Sequence, residues 1–251
     1  MLNIYNLLSK SSEDSFLQWV KTITRERDLN GKPTDAFIYA SFDCFPNISN
    51  PNTFIVYQDW WLKKQNIIKS KILSIHGDSE KINGRQCIVK KITKIEADNF
   101  LEENHIYGST NSKVKLGLYF KNNLFAIATF ANQRQFKKGR SAELLRFCNK
   151  NGYTIVGGLG KLISKYINDY KPDSIMTYID LDWGKGNSFV NLGFQATDYK
   201  NPILFFIDKK QYFRISEKNF DDYQNIQNYY QLRNRGSIKM IKTISVNGFS
   251  F

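Results

Sequence analysis

The stretch VGGLGKL, residues 156–162, combines three glycines and a lysine in a pattern that could hold a phosphate group. It follows an apolar run at 153–156 and precedes a segment with helical spacing. The backbone N–H groups at a helix N-terminus attract anions, and glycine lets a phosphate approach the backbone closely. The stretch matches neither GxxxxGK[ST] nor GxGxxG. It predicts either an anion site or a plain turn from strand to helix. The residues of such a site are Val156, Gly157, Gly158, Leu159, Gly160 and Lys161.

Two other segments carry side chains suited to proton transfer. His105 lies in a polar segment just after a predicted helix, where a histidine could act as a general base or simply cap the helix. Asp180 ends an apolar strand, and strand alternation puts Asp182 on the same face. A carboxylate in this position could be a base or a substrate anchor, although Asp182 could equally cap the next turn.

Arg146 lies inside the apolar strand segment ELLRFC. A charged side chain in such a segment needs a partner when it is buried. Glu143, a phosphate or a substrate carboxylate could each supply one.

The cysteines and histidines give no sign of a metal site. Cys44, Cys87 and Cys148 form no CxxC motif, and His76 and His105 lie too far from any cysteine pair for a zinc finger. We therefore predict reduced thiols, with packing roles for Cys87 and Cys148.

The formal net charge of +13 is unevenly distributed. Residues 1–99 contain 14 lysines and arginines against 11 acids, whereas residues 100–251 contain 22 against 12. The basic half indicates a polyanionic partner, either nucleic acid or a phosphate-rich cofactor, although a solvated basic surface has the same composition. The sequence has no signal peptide pattern and no apolar run long enough to span a bilayer, so we expect a cytoplasmic protein with no membrane partner.

From residue 87 onward, the hydrophobic periodicity predicts antiparallel strands followed by a β-α-β-α-β series. This order indicates an α/β (α+β) fold with one central mixed, mostly antiparallel sheet flanked by helices. Residues 217–236 have helical spacing and predict a helical C-terminal tail. We place a domain boundary near residue 86, between a small N-terminal α/β extension (1–86) and the main domain (87–251).

The ordered motifs resemble the GNAT acyltransferase fold. The resemblance rests on GLYFKNNLFAIATF, ELLRFCNKNGYTIVGGLGKL and SIMTYIDLDWGKGNSFVNLGF, which occur in the family's order. In that family the loop at the position of 156–161 holds the acyl-CoA pyrophosphate through backbone amides. A closer resemblance, over roughly residues 55–207, is to phage Mom-like DNA-modification proteins and the C-terminal region of homing-endonuclease-like phage proteins. No nuclease carboxylate set precedes the shared YQDWW segment.

The Mom-like resemblance assigns three residues to an active centre. His105 matches the histidine of the NH motif, Arg146 matches the arginine of LxRF, and Asp180 ends the YxD strand. Two positions depart from the pattern. Gly160 stands where relatives carry serine, and Phe189 stands where many GNAT enzymes carry a tyrosine that acts as general acid. Phenylalanine has no O–H group to donate.

Two functions follow from the resemblance and the charge. One is a GNAT-like acyltransferase that binds acetyl-CoA or another acyl-CoA and acts on a nucleic-acid base or another amine. The alternative is a catalytically degenerate nucleic-acid-binding accessory module of a phage or mobile element. An active nuclease is disfavoured, because Asp180 and Asp182 form the only notable acidic pair and no metal-ligand spacing accompanies them.

Overall fold

The computed structural model describes residues 2–25, 36–42, 53–136 and 139–244. The chain forms two compact units. The large-sheet unit consists of Asn66–Ile179, Gly186–Tyr199 and Ile238–Phe251. The small-sheet unit consists of Met1–Gln65, Asp180–Lys185 and Lys200–Ser237.

Six α-helices and fifteen strands are found in the described residues. The helices are α1 (Leu2–Arg25), α2 (Gln58–Lys63), α3 (Gln65–His76), α4 (Lys94–Asn104), α5 (Gly158–Tyr170) and α6 (Asn187–Val190). The strands are β1 (Ala36–Ala40), β2 (Thr53–Tyr57), β3 (Glu80–Asn83), β4 (Ile88–Lys91), β5 (Val114–Phe120), β6 (Asn123–Phe130), β7 (Arg134–Phe136), β8 (Gly139–Asn149), β9 (Tyr153–Val156), β10 (Ser174–Asp180), β11 (Gln195–Lys200), β12 (Leu204–Asp208), β13 (Arg214–Ser216), β14 (Tyr229–Arg233) and β15 (Ser237–Thr243).

The main sheet has the strand order β11-β15-β10-β8-β6-β5-β4, with β7 paired to β8. The pairs β4–β5, β5–β6 and β6–β8 are antiparallel, whereas β8 and β10 are parallel. Helices cover this sheet, so the predicted mixed α/β class with a mostly antiparallel central sheet is confirmed.

Residues of β6 from Ala126 to Phe130 are buried at every position, so both faces of the main sheet are buried there. On one face Phe130 of β6 stacks on Tyr166 of α5, with ring centroids 3.9 Å apart. The other face packs against α4 through a cluster of buried side chains. That cluster contains Ala97, Phe100, Leu101 and Ile127, with Ile92, Leu124 and Cys148 packed against it.

A separate two-stranded parallel pair precedes α5. β3 pairs with β9, with Asn83 opposite Val156. The 3-10 helix Gly84–Gln86 follows β3 directly, and the side chain of Asn83 caps it by accepting a hydrogen bond from the N–H of Arg85. The chain just before residue 87 therefore lies alongside the strand that leads into the glycine loop.

The small-sheet unit contains the parallel pair β1–β2 and the antiparallel sheet β13-β12-β14. Its core is aromatic. Phe16 of α1 packs edge-on against Trp61 of α2, and Arg214 lies over the ring of Trp60 while its guanidinium pairs with Asp59.

The predicted helical tail at 217–236 is wrong. Glu217–Asn219 and Tyr223–Asn228 are 3-10 helices, and residues 229–233 form β14. Phe220 follows the first 3-10 helix in extended conformation, Tyr223 begins the second, and both rings pack on Phe206 of β12. The following YYQLR segment is rich in aromatic residues that favour strands.

The domain boundary near residue 86, with an extension at 1–86 and a domain at 87–251, remains a prediction. The compact units are assembled from non-contiguous segments, and the large-sheet unit begins at Asn66. No helix among the described residues is both long and apolar enough to cross a membrane.

Candidate functional site

The glycine loop forms an uncapped helix N-terminus. Gly157 is the N-cap of α5, with φ of +75°, and no side chain caps the helix there. The first N–H groups of an α-helix have no partner within the helix, so those of Gly158, Leu159 and Gly160 can receive an anion. An added Cβ at Gly157 would meet no atom within 4 Å, so space is open beside the loop.

Gly158 lets α5 begin directly against the main sheet. A Cβ at this position would lie 2.9 Å from Ile155 and 3.0 Å from the Cδ1 of Leu118. The contact with Ile155 is shorter than real Cβ contacts and the contact with Leu118 is tighter than most, so a larger residue would require these side chains to move. The loop is thus fixed by close packing beneath it.

Lys161 is turned toward the segment that precedes β4. Its Nζ donates to the carbonyl oxygens of Gly84, at 3.0 Å, and of Cys87, at 2.5 Å. Gly84 in turn lies against the loop, because a Cβ there would come within 2.7 Å of the Val156 carbonyl oxygen. This geometry makes Lys161 a brace for the loop, and its assignment as a phosphate ligand stays a prediction.

The backbone pairing between the parallel strands β8 and β10 ends part-way along both strands. Their register runs from Ser141–Ser174 to Glu143–Met176, although both strands continue further. Beyond this point the hydroxyl of Thr177 donates to the Leu144 carbonyl at 3.0 Å, in place of a backbone ladder bond. The backbone pairing of the two strands thus ends at Glu143 and Met176, and we call the region beyond these residues the opening between β8 and β10.

A β-bulge on β8 lies at the apex of this opening. Along β6, Phe130 pairs with Leu144 and Thr129 pairs with Arg146, so Leu145 has no partner in that register. Bulges re-aim backbone and side chains, and they are frequent beside active sites. The bulge keeps Arg146 on the face of the sheet opposite to Leu144.

Arg146 makes its recorded hydrogen bonds with backbone carbonyl groups. Its Nε donates to the Gly108 carbonyl at 3.3 Å, and a terminal nitrogen donates to the Leu145 carbonyl at 3.0 Å. The guanidinium carbon lies 5.9 Å from the centre of the Tyr107 ring. Burial lowers the pKa of Arg146 from its ordinary value, while Tyr107 and Glu143 act in the opposite direction.

His105 ends α4 and organises the turn that reaches Arg146. The N–H of Tyr107 donates to Nδ1 of His105 at 3.1 Å, and the N–H of Gly108 donates to the His105 carbonyl at 2.9 Å. A neutral imidazole that accepts at Nδ1 carries its proton on Nε2. Neither ring nitrogen then offers a lone pair for general-base chemistry, so the geometry favours a positioning role.

Asp180 belongs to the small-sheet unit and therefore does not join His105 and Arg146 within one unit. Its Oδ1 accepts from the N–H of Asp182 at 2.9 Å, as in a turn initiated by aspartate. Asp182 is fully buried and accepts from the Tyr57 hydroxyl at 3.0 Å and from Arg235. These contacts join three separate segments of the small-sheet unit, which contain Tyr57, Asp182 and Arg235.

Glu143 is a candidate that the sequence reasoning treated only as a partner for Arg146. It lies on β8 at the last paired position before the strands part, and it is half-buried. Burial raises its pKa, although Arg134, Arg146 and Lys239 each lower it. A carboxylate with a raised pKa beside an opening is suited to general-base work. The bulge at Leu145 places it on the face of Arg146, whereas the spacing of three residues would put the two on opposite faces of a regular strand.

The two departures from the GNAT pattern lie near α6 and α5. Phe189 of α6 packs edge-on against Phe194, with ring centroids 5.3 Å apart. At Gly160 an added Cβ would meet the Cδ2 of Leu192 at 2.9 Å. Neither position supplies a hydroxyl group.

The remaining thiols and acids give no metal centre. Cys148 packs in the α4 cluster, and burial raises its pKa to about 12, so it is not a nucleophile at neutral pH. Within the described ranges, no three histidine, cysteine or acidic side chains lie close enough to hold a metal ion.

No protein-family model and no curated protein matches the chain. Solved structures that are similar to it include GNAT acetyltransferases. The ribosomal-protein-S18-alanine N-acetyltransferase from Escherichia coli shares 10% identity with a TM-score of 0.42, covering 66% of this chain and 98% of that one. A Bacillus subtilis acetyltransferase in complex with CoA shares 12% identity with a TM-score of 0.41, covering 63% of this chain and 99% of that one. A GNAT family acetyltransferase from Elizabethkingia anophelis with acetyl-CoA bound shares 11% identity with a TM-score of 0.38, covering 63% of this chain and 99% of that one.

Proposed function

We propose that this chain is a GNAT-fold N-acyltransferase that takes its acyl group from acetyl-CoA or another acyl-CoA. One observation carries the proposal: an uncapped, glycine-lined helix N-terminus at 157–160 lies in the same unit as a parallel strand pair whose backbone pairing ends part-way along both strands. The first feature suits a pyrophosphate, because backbone N–H groups and the helix dipole both favour negative charge. The second offers a slot for an extended arm between β8 and β10.

The charge of the large-sheet unit supports a polyanionic ligand. Its segments contain 21 lysines and arginines against 10 acids, a formal charge of +11. The small-sheet unit contains 15 lysines and arginines against 13 acids, a formal charge of only +2. The excess positive charge therefore lies in the unit that holds the glycine loop, where it would raise the local concentration of an anionic ligand.

When bound, acyl-CoA supplies an activated acyl group to an acceptor amine. In our proposal Glu143 takes the proton from the attacking amine, because it is half-buried with a raised pKa at the edge of the opening. The unpaired Leu145 position on the bulge presents backbone groups there, and its N–H is the candidate donor to a developing oxyanion. Phe189 cannot protonate a leaving thiolate, so that proton must come from solvent or from another group.

The acceptor in this proposal is a nucleic-acid base or another amine, as the Mom-like resemblance implies. His105 holds the turn that contacts Arg146, and Arg146 directly follows the bulged residue of β8. Asp180 acts within the small-sheet unit through its turn with Asp182.

The cofactor site can be tested by calorimetric titration of acetyl-CoA into the wild-type protein and two variants at one position. Gly157→Asp and Gly157→Asn differ by a single charge, and both side chains tolerate a positive φ. Because space beside Gly157 is open, neither should disturb packing. We expect the aspartate to weaken binding by about tenfold or more and the asparagine by much less. Equal affinities for the two variants, or no binding to wild type, would overturn the proposal.

A second candidate is a nucleic-acid-binding module whose acyl-CoA site no longer reacts. The +11 charge and the missing hydroxyl at Phe189 favour it. Mobility shifts with a short DNA and a short RNA, taken over a salt series, test it. Binding should weaken steeply with salt, because each phosphate contact releases counterions. Binding with no detectable acyl transfer supports this candidate, and the absence of a shift at low salt excludes it.

A further inference from the structure

The surroundings of Arg146 are those of a binding group rather than of a saturated structural ion pair. Its hydrogen bonds reach the carbonyl oxygens of Gly108 and Leu145, which carry no formal charge. A half-buried guanidinium gains most from an anionic oxygen pair, which it binds through two parallel hydrogen bonds. The segment that contacts it is itself held in place by the turn from His105 to Gly108.

A buried hydroxyl group lies next to Arg146 on the same face of the sheet. Thr129 is the cross-strand partner of Arg146 and is completely buried. Across the described part of the chain, its Oγ1 has no hydrogen-bond partner. A buried polar atom without a partner is uncommon in native proteins and often marks a missing water, ion or ligand. The Thr129 hydroxyl can donate to an oxygen bound at Arg146.

The local charge is positive despite a carboxylate. Arg134, Arg146 and Lys239 all stabilise the charged form of Glu143, and they come from β7, β8 and β15. The three cations outnumber the one carboxylate whose charged form they stabilise. This balance suits a ligand that carries one or two negative charges.

We propose that the acceptor amine carries an anionic group, a phosphate or a carboxylate, and that Arg146 and Thr129 bind this group on the α4 side of the main sheet. The proposal rests on the proposed acyl transfer and names the class of its acceptor. Arg134 and Lys239 add long-range attraction, whereas Arg146 fixes the position of the group. Glu143, two residues before the bulge at Leu145, is then on the same face as the bound acceptor.

A matched series of small amines tests this inference. Ethanolamine, O-phosphoethanolamine and β-alanine all present a primary amine, with a neutral, a phosphate or a carboxylate end. Their dissociation constants are measured by ligand-observed NMR on the full chain, with and without CoA. We expect at least one anionic amine to bind about tenfold or more tightly than ethanolamine, from charge-assisted hydrogen bonds. Preference between phosphate and carboxylate identifies the group.

Variants at Arg146 separate recognition from general electrostatics. Arg146→Gln should abolish the preference for anionic amines, whereas Arg146→Lys should retain part of it. Arg140→Gln is the control, because Arg140 lies on the same strand, is exposed and bonds the Lys171 carbonyl. It removes the same charge and should leave the preference intact.

The results distinguish this inference from the proposed function. Equal affinity for the three amines in the wild-type protein, or an unchanged preference in Arg146→Gln, overturns the anionic acceptor even if acetyl-CoA binds. Conversely, an Arg146-dependent preference without acetyl-CoA binding supports the anion site and overturns acyl transfer. Circular dichroism spectra that match wild type confirm that each variant is folded.

Discussion

The ammonium group of Lys161 is 3.0 Å from the carbonyl oxygen of Gly84 and donates a hydrogen bond to it. This bond joins the first turn of α5 to the 3-10 helix that follows β3. The glycine loop leads directly into α5. The position of the loop therefore depends on a contact between residues that are 77 positions apart in the sequence.

Replacing Lys161 by methionine should therefore loosen the loop. The Gly84 and Cys87 carbonyl groups would lose a charge-assisted donor, and we expect a loss of about 1–3 kcal/mol in the free energy of unfolding. Urea unfolding followed by fluorescence measures this loss in the free energy of unfolding. Lys165→Met is the matched control, because Lys165 makes an exposed pair with Asp169 four residues later and such pairs contribute only about 0.3–0.5 kcal/mol. Similar losses in both variants would contradict the bracing role.

Glu143→Gln should impair acyl transfer without weakening the cofactor site. Removal of a general base typically lowers the rate by about 10²–10⁴-fold, whereas the acetyl-CoA dissociation constant should not change. In the wild type, activity should rise with pH as Glu143 loses its proton, above the usual carboxyl range because burial raises its pKa. The glutamine variant should lack this rise. Glu103→Gln, at an exposed position on α4, is the control, and an unaltered pH profile in Glu143→Gln excludes Glu143 as the base.

Much of the main sheet could be predicted from the sequence, because its signals are local. The apolar residues at every second position from Val114 to Leu118 in β5, the continuous apolar run of β6 and the Lys121-Asn122 turn, with both turn residues at positive φ, specify a hairpin without tertiary information. The glycine loop was equally visible, since its residues are contiguous.

The site could be predicted only in part, because its chemistry depends on non-local packing. The bulge at Leu145 puts Glu143 and Arg146 on one face, although their spacing of three residues would put them on opposite faces of a regular strand. The Gly84 carbonyl that Lys161 contacts lies in the 3-10 helix after β3, so the bracing role of Lys161 could not be predicted from the sequence of the loop. The tail was misassigned because a spacing of three suits 3-10 and α-helices alike.

Asp182 should make stability fall as the pH rises through weak acid. Burial and the neighbouring Asp180 raise its pKa to about 6, above the ordinary value of 3.8. Between these values the native protein holds a proton that the unfolded chain releases, so unfolding free energy declines with increasing pH and then levels off. Asp182→Asn should remove this component, on the order of 3 kcal/mol for a shift of about two units. Chemical unfolding from pH 4 to pH 8 measures the difference, and parallel curves for the two proteins would contradict it.

Thr177 should hold the edge where β8 and β10 separate. Its hydroxyl donates to the buried Leu144 carbonyl at 3.0 Å, so Thr177→Val, which keeps the shape, leaves that carbonyl without its donor. We expect a loss of about 1–2 kcal/mol in the free energy of unfolding and weaker acetyl-CoA binding, because the edge of the opening would shift. Thr177→Ser keeps the hydroxyl and should retain affinity. Urea unfolding and calorimetry measure both quantities, and valine and serine variants with the same affinity would show that the opening does not depend on this bond.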